Sequence, residues 1–196
     1  MDHVTGARCV RCGRQYPAGP GLTTCACGGI LDVEYDYDRI RSRLSPQSLA
    51  RNPDRSMWRY RPLLPVEPDS PPPPLRVGWS PLYPAPRLAA ELGLKTLWLK
   101  DDGQNPTASL KDRASLAGSA AAAGLKAYIF VPSRAPKGKV AQLKIFGAIV
   151  ISVEGSYEET FELSRAAIGR WGWYNRSASV NPYLSEGKKT VALEIL

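Results

Sequence analysis

Two groups of side chains in this 196-residue sequence are spaced for chemistry. The first is Cys9-Val-Arg-Cys12-Gly13 followed by Cys25-Ala-Cys27-Gly28-Gly29, which holds all four cysteines. Paired cysteines close in sequence present two thiolates to one ion, and a following glycine lets the backbone turn tightly around the sulfurs. Four thiolates complete a closed tetrahedral zinc site, which is structural and not catalytic. Cys9, Cys12, Cys25 and Cys27 are therefore the expected ligands of a Zn2+ ion. Two disulfides are the rival arrangement, but nothing indicates secretion; unbound reduced thiols are the other. The second pair is Cys-x-Cys and not the commoner Cys-x-x-Cys.

The second group is Asn105-Pro-Thr-Ala-Ser-Leu-Lys-Asp-Arg113. Pro106 biases Asn105 away from the α region. Ser109 is a natural N-cap, because its hydroxyl can accept an orphan amide hydrogen bond. That puts Lys111 in the first turn of a helix, where the helix dipole favours anions and not cations. A lysine amine that forms a bond with a carbonyl must do so in its neutral form. By residue type alone, a surface lysine at an ordinary helix start is the preferred reading of the stretch.

Other chemistries are excluded or disfavoured. A single histidine, His3, leaves no serine–histidine triad and no histidine-based metal site. The net charge of +8 and pI of about 9.5 permit an anionic partner. However, the densest basic group, Arg39, Arg41 and Arg43, follows Asp32, Glu34, Asp36 and Asp38, so a mixed solvated surface is favoured over nucleic-acid binding. No apolar run is long enough to span a bilayer and no leader pattern opens the chain, so no membrane partner and a cytoplasmic location are expected.

The elements that must position these groups fall into three stretches. Residues 1–44 read as a small zinc-ribbon-like module, with a strand over Ile30 to Tyr35 and a short helix or turn over Asp36 to Leu44. Residues 45–86 hold 12 of the 18 prolines and read as a connector, neither helix nor sheet interior. Pro71 to Pro74 is expected to be a polyproline II spacer, with aromatics of Met57-Trp-Arg-Tyr60 and Trp79-Ser-Pro-Leu82 docking on the main domain. Residues 87–196 alternate helices and short apolar strands. Helices are expected over Arg87 to Leu92, Ser109 to Ala123, Lys137 to Phe146 and Tyr157 to Trp171. Strands are expected over Thr96 to Lys100, Ala127 to Val131 and Ala148 to Val153. Such alternation implies βαβ units and a parallel sheet. Glu186 to Leu196 reads as a further helix that the chain leaves unfinished.

The order of these pieces resembles one family. Trp79-Ser-Pro-Leu-Tyr-Pro-Ala-Pro-Arg-Leu, Leu97-Trp-Leu-Lys-Asp-Asp-Gly and Asn105-Pro-Thr-Ala-Ser-Leu-Lys-Asp-Arg look like the threonine synthases. These are fold-type-II enzymes dependent on pyridoxal 5'-phosphate (PLP). Ala135-Pro-Lys-Gly-Lys, Val153-Glu-Gly-Ser-Tyr, Gly172-Trp-Tyr-Asn and Asn181-Pro-Tyr-Leu-Ser-Glu-Gly-Lys-Lys-Thr continue the likeness in order, and the cysteine-rich start resembles the ribbon of some members. The resemblance implies an α/β fold, the small domain of a fold-type-II enzyme in partial form. It implies PLP held covalently by Lys111, which would also be the catalytic acid–base. The reaction implied is conversion of O-phosphohomoserine and water to threonine and phosphate, so an amino-acid phosphate is the expected small-molecule partner.

The sequence also departs from the family pattern. Ser80 stands where threonine is usual and Leu110 where phenylalanine is usual. The helix opened at Ser109 runs straight into Leu116-Ala-Gly-Ser-Ala-Ala-Ala-Ala-Gly-Leu125, with no Ser-Gly-Asn or Thr-Gly-Asn loop, so one βα unit is expected to be missing. The larger domain that supplies the phosphate cradle has no counterpart here. The expectation is a chain that is inactive or impaired alone, either a homo-oligomer or paired with an intact paralogue. Serine/threonine dehydratase chemistry within the same fold type is one alternative function. A zinc-ribbon nucleic-acid-binding or regulatory module is another.

Overall fold

The protein is described by a computed structural model. It covers residues 1–19, 22–72, 75–114, 126–145, 147–177 and 179–196. The chain falls into two compact units, Met1–Ala121 with Arg176–Leu196, and Ala122–Asn175. No helix among the described residues is long and apolar enough to cross a membrane.

The first unit begins with a ribbon. β1 (Val4–Cys9) pairs antiparallel with both β2 (Gln15–Tyr16) and β3 (Leu31–Tyr35), in the order β2-β1-β3. Alternation along β3 buries Leu31, Val33 and Tyr35 and leaves Asp32 out, as a half-buried strand requires. Ala7, Cys9, Cys25 and Leu31 form one apolar cluster, with Tyr16 and Leu22 packed against it. Val33, Tyr35 and Ile40 form a second. Ile40 comes from α1 (Tyr37–Arg43), whose first turn is capped by the Asp36 side chain on the Arg39 amide.

The proline-rich stretch is not free of helix and strand in the way its composition suggests. Ser45 opens α2 (Pro46–Arg51) through a reciprocal capping box with Ser48, with Pro46 at the first helical position where its missing N–H costs nothing. A 3-10 segment, Met57–Leu63, follows. Met57, Trp58, Leu64, Val66 and Val77 then form a closed apolar cluster, three of them with no exposed surface. The prolines bend the chain around that cluster, and burial of these side chains outweighs the extended preference of the flanking prolines. The run Pro71 to Pro74 lies partly outside the described residues.

β4 (Leu82–Pro84) comes from the same stretch and pairs antiparallel with β5 (Trp98–Lys100), matching Leu82 to Lys100 and Pro84 to Trp98. This corrects the expectation that Thr96 to Lys100 lies in the parallel sheet. Pro84 is tolerated because the pair has an open edge. α3 (Pro86–Glu91) links the two strands and stops at Gly93, whose φ of 66° suits a glycine. α4 opens at Lys111 and is described over residues 111–114. The expected helix out to Ala123, and the splice near Leu116, lie outside the described residues.

The C-terminal part of the unit also differs from expectation. In place of one unfinished helix from Glu186 there are two short ones, α7 (Pro182–Lys188) and α8 (Thr190–Leu193). Asn181 caps the first through its side chain on the Tyr183 amide, so the helix starts four residues earlier.

The second unit is a βαβα run. β6 (Tyr128–Pro132) and β7 (Ile149–Val153) pair in parallel, in register from Tyr128–Ile149 to Pro132–Val153. The parallel sheet is thus present as this pair. α5 (Lys137–Ile145) crosses over between the strands. α6 (Tyr157–Trp171) follows, with a Ser156–Glu159 capping box at its start and Gly172 at φ 65° at its end. Tyr128, Phe130 and Ile151 face α6, while Val131, Val150 and Ser152 face α5.

Candidate functional site

The lysine turn is held from inside by its own polar side chains. Asn105 is buried; its Oδ1 accepts from the Gly78 amide at 2.9 Å and its Nδ2 donates to the Asp102 carbonyl at 3.1 Å. The Ala108 amide donates to the Asn105 carbonyl at 2.8 Å, and Ala108 adopts φ 54°, an uncommon conformation for a residue with a Cβ. Asp112, also buried, takes the Thr107 amide at 2.7 Å on one oxygen and the Thr107 hydroxyl on the other. Ser109 Oγ accepts from the Lys111 amide at 3.1 Å, as its expected role as N-cap requires. Pro106, Ala108, Leu110 and Lys111 face solvent, and the Lys111 amine makes no ion pair or hydrogen bond among the described residues.

Beneath the turn lies a group of charges that the sequence motifs did not single out. The Arg113 side chain is fully enclosed. Its Nε and Nη2 donate to the two Asp102 carboxylate oxygens, each at 2.7 Å. Nη1 and Nη2 also reach Glu194, at 2.6 and 2.9 Å, and Nη1 reaches the Thr190 hydroxyl at 3.0 Å. Lys100 Nζ adds a further contact to Glu194 at 2.7 Å, and Ser80 Oγ donates to Asp102. Two cations face two carboxylates, so the buried charges balance. Burial pulls the Arg113 pKa down, but its hydrogen bonds to Asp102 and Glu194 outweigh that and raise it above the ordinary value. Burial likewise pushes Asp102 and Glu194 up, and the Arg113 contacts outweigh that, holding both carboxyls below their usual range. The sequence did carry a signal: Glu194 is the one acid in the otherwise apolar Val191-Ala-Leu-Glu-Ile-Leu196.

The cysteine pairs converge as their spacing predicts. The four Sγ atoms of Cys9, Cys12, Cys25 and Cys27 all lie within 4.8 Å of one another. Cys9 and Cys27 are 3.5 Å apart and Cys12 and Cys25 3.6 Å apart, and all four are free thiols. A tetrahedral ion with Zn–S bonds of about 2.3 Å needs edges of roughly 3.8 Å, so the donor set fits one. Gly29 is required at its place, because a Cβ there would stand 2.6 Å from Cys9 Sγ. The Cys27 amide and the Tyr16 hydroxyl both point at Cys25 Sγ and pull its pKa down to about 6. At Cys27 the Gly29 amide acts in the same direction, but the neighbouring sulfurs of Cys12, Cys25 and Cys9 outweigh it and push the thiol up to about 12. Four sulfurs this close resist carrying four negative charges unless a cation shares them.

The ribbon is tied to the rest of its unit. The Tyr35 hydroxyl donates to Glu186 on α7, Lys189 lies 4.1 Å from the Tyr35 ring centre, and the Tyr183 hydroxyl donates to the Gly19 carbonyl at 2.8 Å. The arginine group is also engaged: Arg39 and Arg43 both pair with Asp2, and Arg41 with Asp38.

Comparison with known proteins places these features. Residues 114–196 match the pyridoxal-phosphate dependent enzyme family, a stretch that begins just after the lysine turn. The chain is 34% identical to threonine synthase of Methanocaldococcus jannaschii over 215 residues, covering 96% of this chain and 53% of that protein. It is 34% identical to threonine synthase of Methanosarcina acetivorans over 216 residues, covering 96% and 52%. Threonine synthase of Synechocystis sp. is 34% identical over 179 residues, covering 77% and 47%. The chain spans about half the length of the curated relatives it matches. The matched stretch of 215 residues is longer than the whole 196-residue chain, so the relative has internal residues with no counterpart here. Residues 114–196 are thus similar to the pyridoxal-phosphate dependent enzyme family, and nearly the whole chain is similar to about half of the threonine synthases.

Proposed function

We propose that this chain is the lysine-bearing part of a threonine synthase-type lyase, acting on O-phosphohomoserine and water to give threonine and phosphate, and that Lys111 carries PLP. The observation behind it is the Lys111 turn: an exposed, unengaged amine on a backbone fixed by Asn105, Thr107, Ser109 and Asp112. That geometry suits covalent attachment of an aldehyde. PLP supplies an electron sink for substrate carbanions when bound. Lys111 Nζ would hold it and then move protons between substrate carbons. Asn105 and Asp112 would keep the amine from drifting. The internal residues that the chain lacks relative to its homologues support a further expectation, that it turns over substrate weakly or not at all by itself. A cytoplasmic site of action accords with the four unpaired thiols.

Incubation with PLP, borohydride reduction and peptide mapping tests the attachment: the mass increment belongs on Lys111 and disappears in Lys111→Ala. Labelling spread evenly over the lysines would remove this assignment. Phosphate release from O-phosphohomoserine tests the activity, and robust turnover by the isolated chain would contradict the expected impairment.

We also infer that Cys9, Cys12, Cys25 and Cys27 hold one structural Zn2+ ion. The supporting observation is the mutual approach of four sulfurs around a glycine that leaves them room. An ion there would cross-link the two ends of the ribbon and contribute to folding. Metal analysis of the purified chain should find one zinc per chain, and Cys12→Ser should lower that content. A metal-free protein with an unchanged melting temperature after chelation would rule the ion out.

A further inference from the structure

The carboxylate of Glu194 sits in a cradle that is more elaborate than an ion pair. Gly78 and Trp79 adopt φ of 82° and 52°, two successive left-handed residues, and this turns neighbouring amides toward one point. The Trp79 amide donates to Glu194 Oε1 at 2.8 Å and the Ser80 amide to Oε2 at 3.3 Å. Arg113 and Lys100 supply three more donors. A Cβ at Gly78 would stand 2.8 Å from Glu194 Oε1 and 2.8 Å from the Met57 amide, so the close approach of the carboxylate depends on that glycine. Five donors from three segments thus converge on the side chain that follows α8.

Arg113 joins this cradle to the lysine turn. It lies two residues after Lys111 in the same helical turn. Successive helix residues are about 100° apart, so these two point about 200° apart around the axis. Fixing Arg113 inward therefore fixes Lys111 outward, as its exposure shows. We propose that Glu194 is a positioning residue for Lys111: by filling the amide–arginine–lysine cradle it locks Arg113, and through Arg113 the direction in which the Lys111 amine is presented. The proposal rests on the assignment of Lys111 as the PLP lysine, and it concerns residues that do not touch the cofactor. The cradle's chemistry is that of a small carboxylate site, so a free carboxylate can replace the missing side chain.

The test uses competition among lysines. The full chain is labelled with limiting PLP, reduced and mapped, with exposed Lys126 and Lys139 as internal references. The wild-type chain should label Lys111 ahead of both. In Glu194→Gln that preference should fall on the order of tenfold, because small losses of orientation are costly. Glu194→Asp should keep part of it. Glu194→Ala should regain it when formate is added, whereas chloride at equal ionic strength should not restore it. Where the alanine variant does not fold, the glutamine and aspartate variants decide. Unchanged Lys111 preference in a folded Glu194→Gln chain would overturn the proposal. Wild-type chain without any Lys111 preference would overturn the PLP assignment, and this inference with it.

Discussion

In the unit formed by Met1–Ala121 and Arg176–Leu196, Met57, Leu64, Val77 and Leu184 are almost wholly enclosed; in Ala122–Asn175 the only buried apolar residue among those described is Ala167. The second unit is nonetheless rich in apolar side chains. Ile145 is 82% exposed, Trp171 57% and Leu163 47%. Both units have strands, capped helices and good hydrogen bonding, so local structure is not what separates them. The difference is coverage. Among the described residues the second unit's sheet is a single parallel pair with one helix on each face, whereas parallel sheets are normally larger and buried on both faces. The first unit has an enclosed apolar cluster from its proline-rich stretch and a buried ion network.

The comparison can be broken at its strongest point first. Arg113→Ala would leave Asp102 and Glu194 enclosed without their main partner, and loss of one member of a buried pair costs about 3–5 kcal/mol. Urea unfolding followed through tryptophan fluorescence should show that loss; a change below about 1 kcal/mol would mean the network adds little. Next, Leu64→Ala should cost about 2–5 kcal/mol, while Leu163→Ala, half exposed, should cost about 1 kcal/mol or less. Equal costs would show that the second unit is as well enclosed as the first.

Acid titration gives a third, smaller effect. Glu194 and Asp102 have carboxyl pKa values below the ordinary 4.5 and 3.8 in the folded chain. Their contribution is therefore complete above those values and is lost as pH falls below them toward the folded-state values. The urea midpoint should drop between about pH 5 and pH 3, and Glu194→Gln should flatten the drop. A drop of the same size in the variant would assign it to other carboxyls. Last, Ile145→Lys should change stability by no more than about 0.5 kcal/mol while reducing binding of an apolar dye. A clear loss of stability would reveal a packed role for Ile145 that its exposure denies.

Sequence was most informative where structure is local. Ser109 as cap of the lysine helix, the boundaries of α6 at Tyr157 and Trp171, and the gathering of four cysteines all depend on residues a few positions apart. The proline-rich stretch misled because proline content reports backbone freedom, whereas Met57, Leu64 and Val77 report burial, and burial decided. Thr96 to Lys100 was recognisable as a strand, but its antiparallel partner Leu82–Pro84 was hidden among prolines. The network was illegible for a different reason. Arg113 and Glu194 are 81 residues apart, and a single sequence contains no signal that pairs them. Glu194 stands out as the one acid in an apolar tail, but nothing in the sequence ties it to an arginine at a helix start.

The span of that network also sets an order of events in the making of the protein. Asp102 emerges before Arg113 and can pair with it at once, whereas Thr190, which bonds the guanidinium, and Glu194 come about 80 residues later. At ribosomal rates of 5–20 residues per second that gap lasts about 4–16 s. Throughout it the lysine turn is attached to a nascent chain whose amide cradle at Gly78 to Ser80 has no anion to close on. On the proposed role of Glu194, the Lys111 amine acquires its fixed direction only once residue 194 has been made, so release before that point would give a chain that contains Lys111 but does not hold it in place.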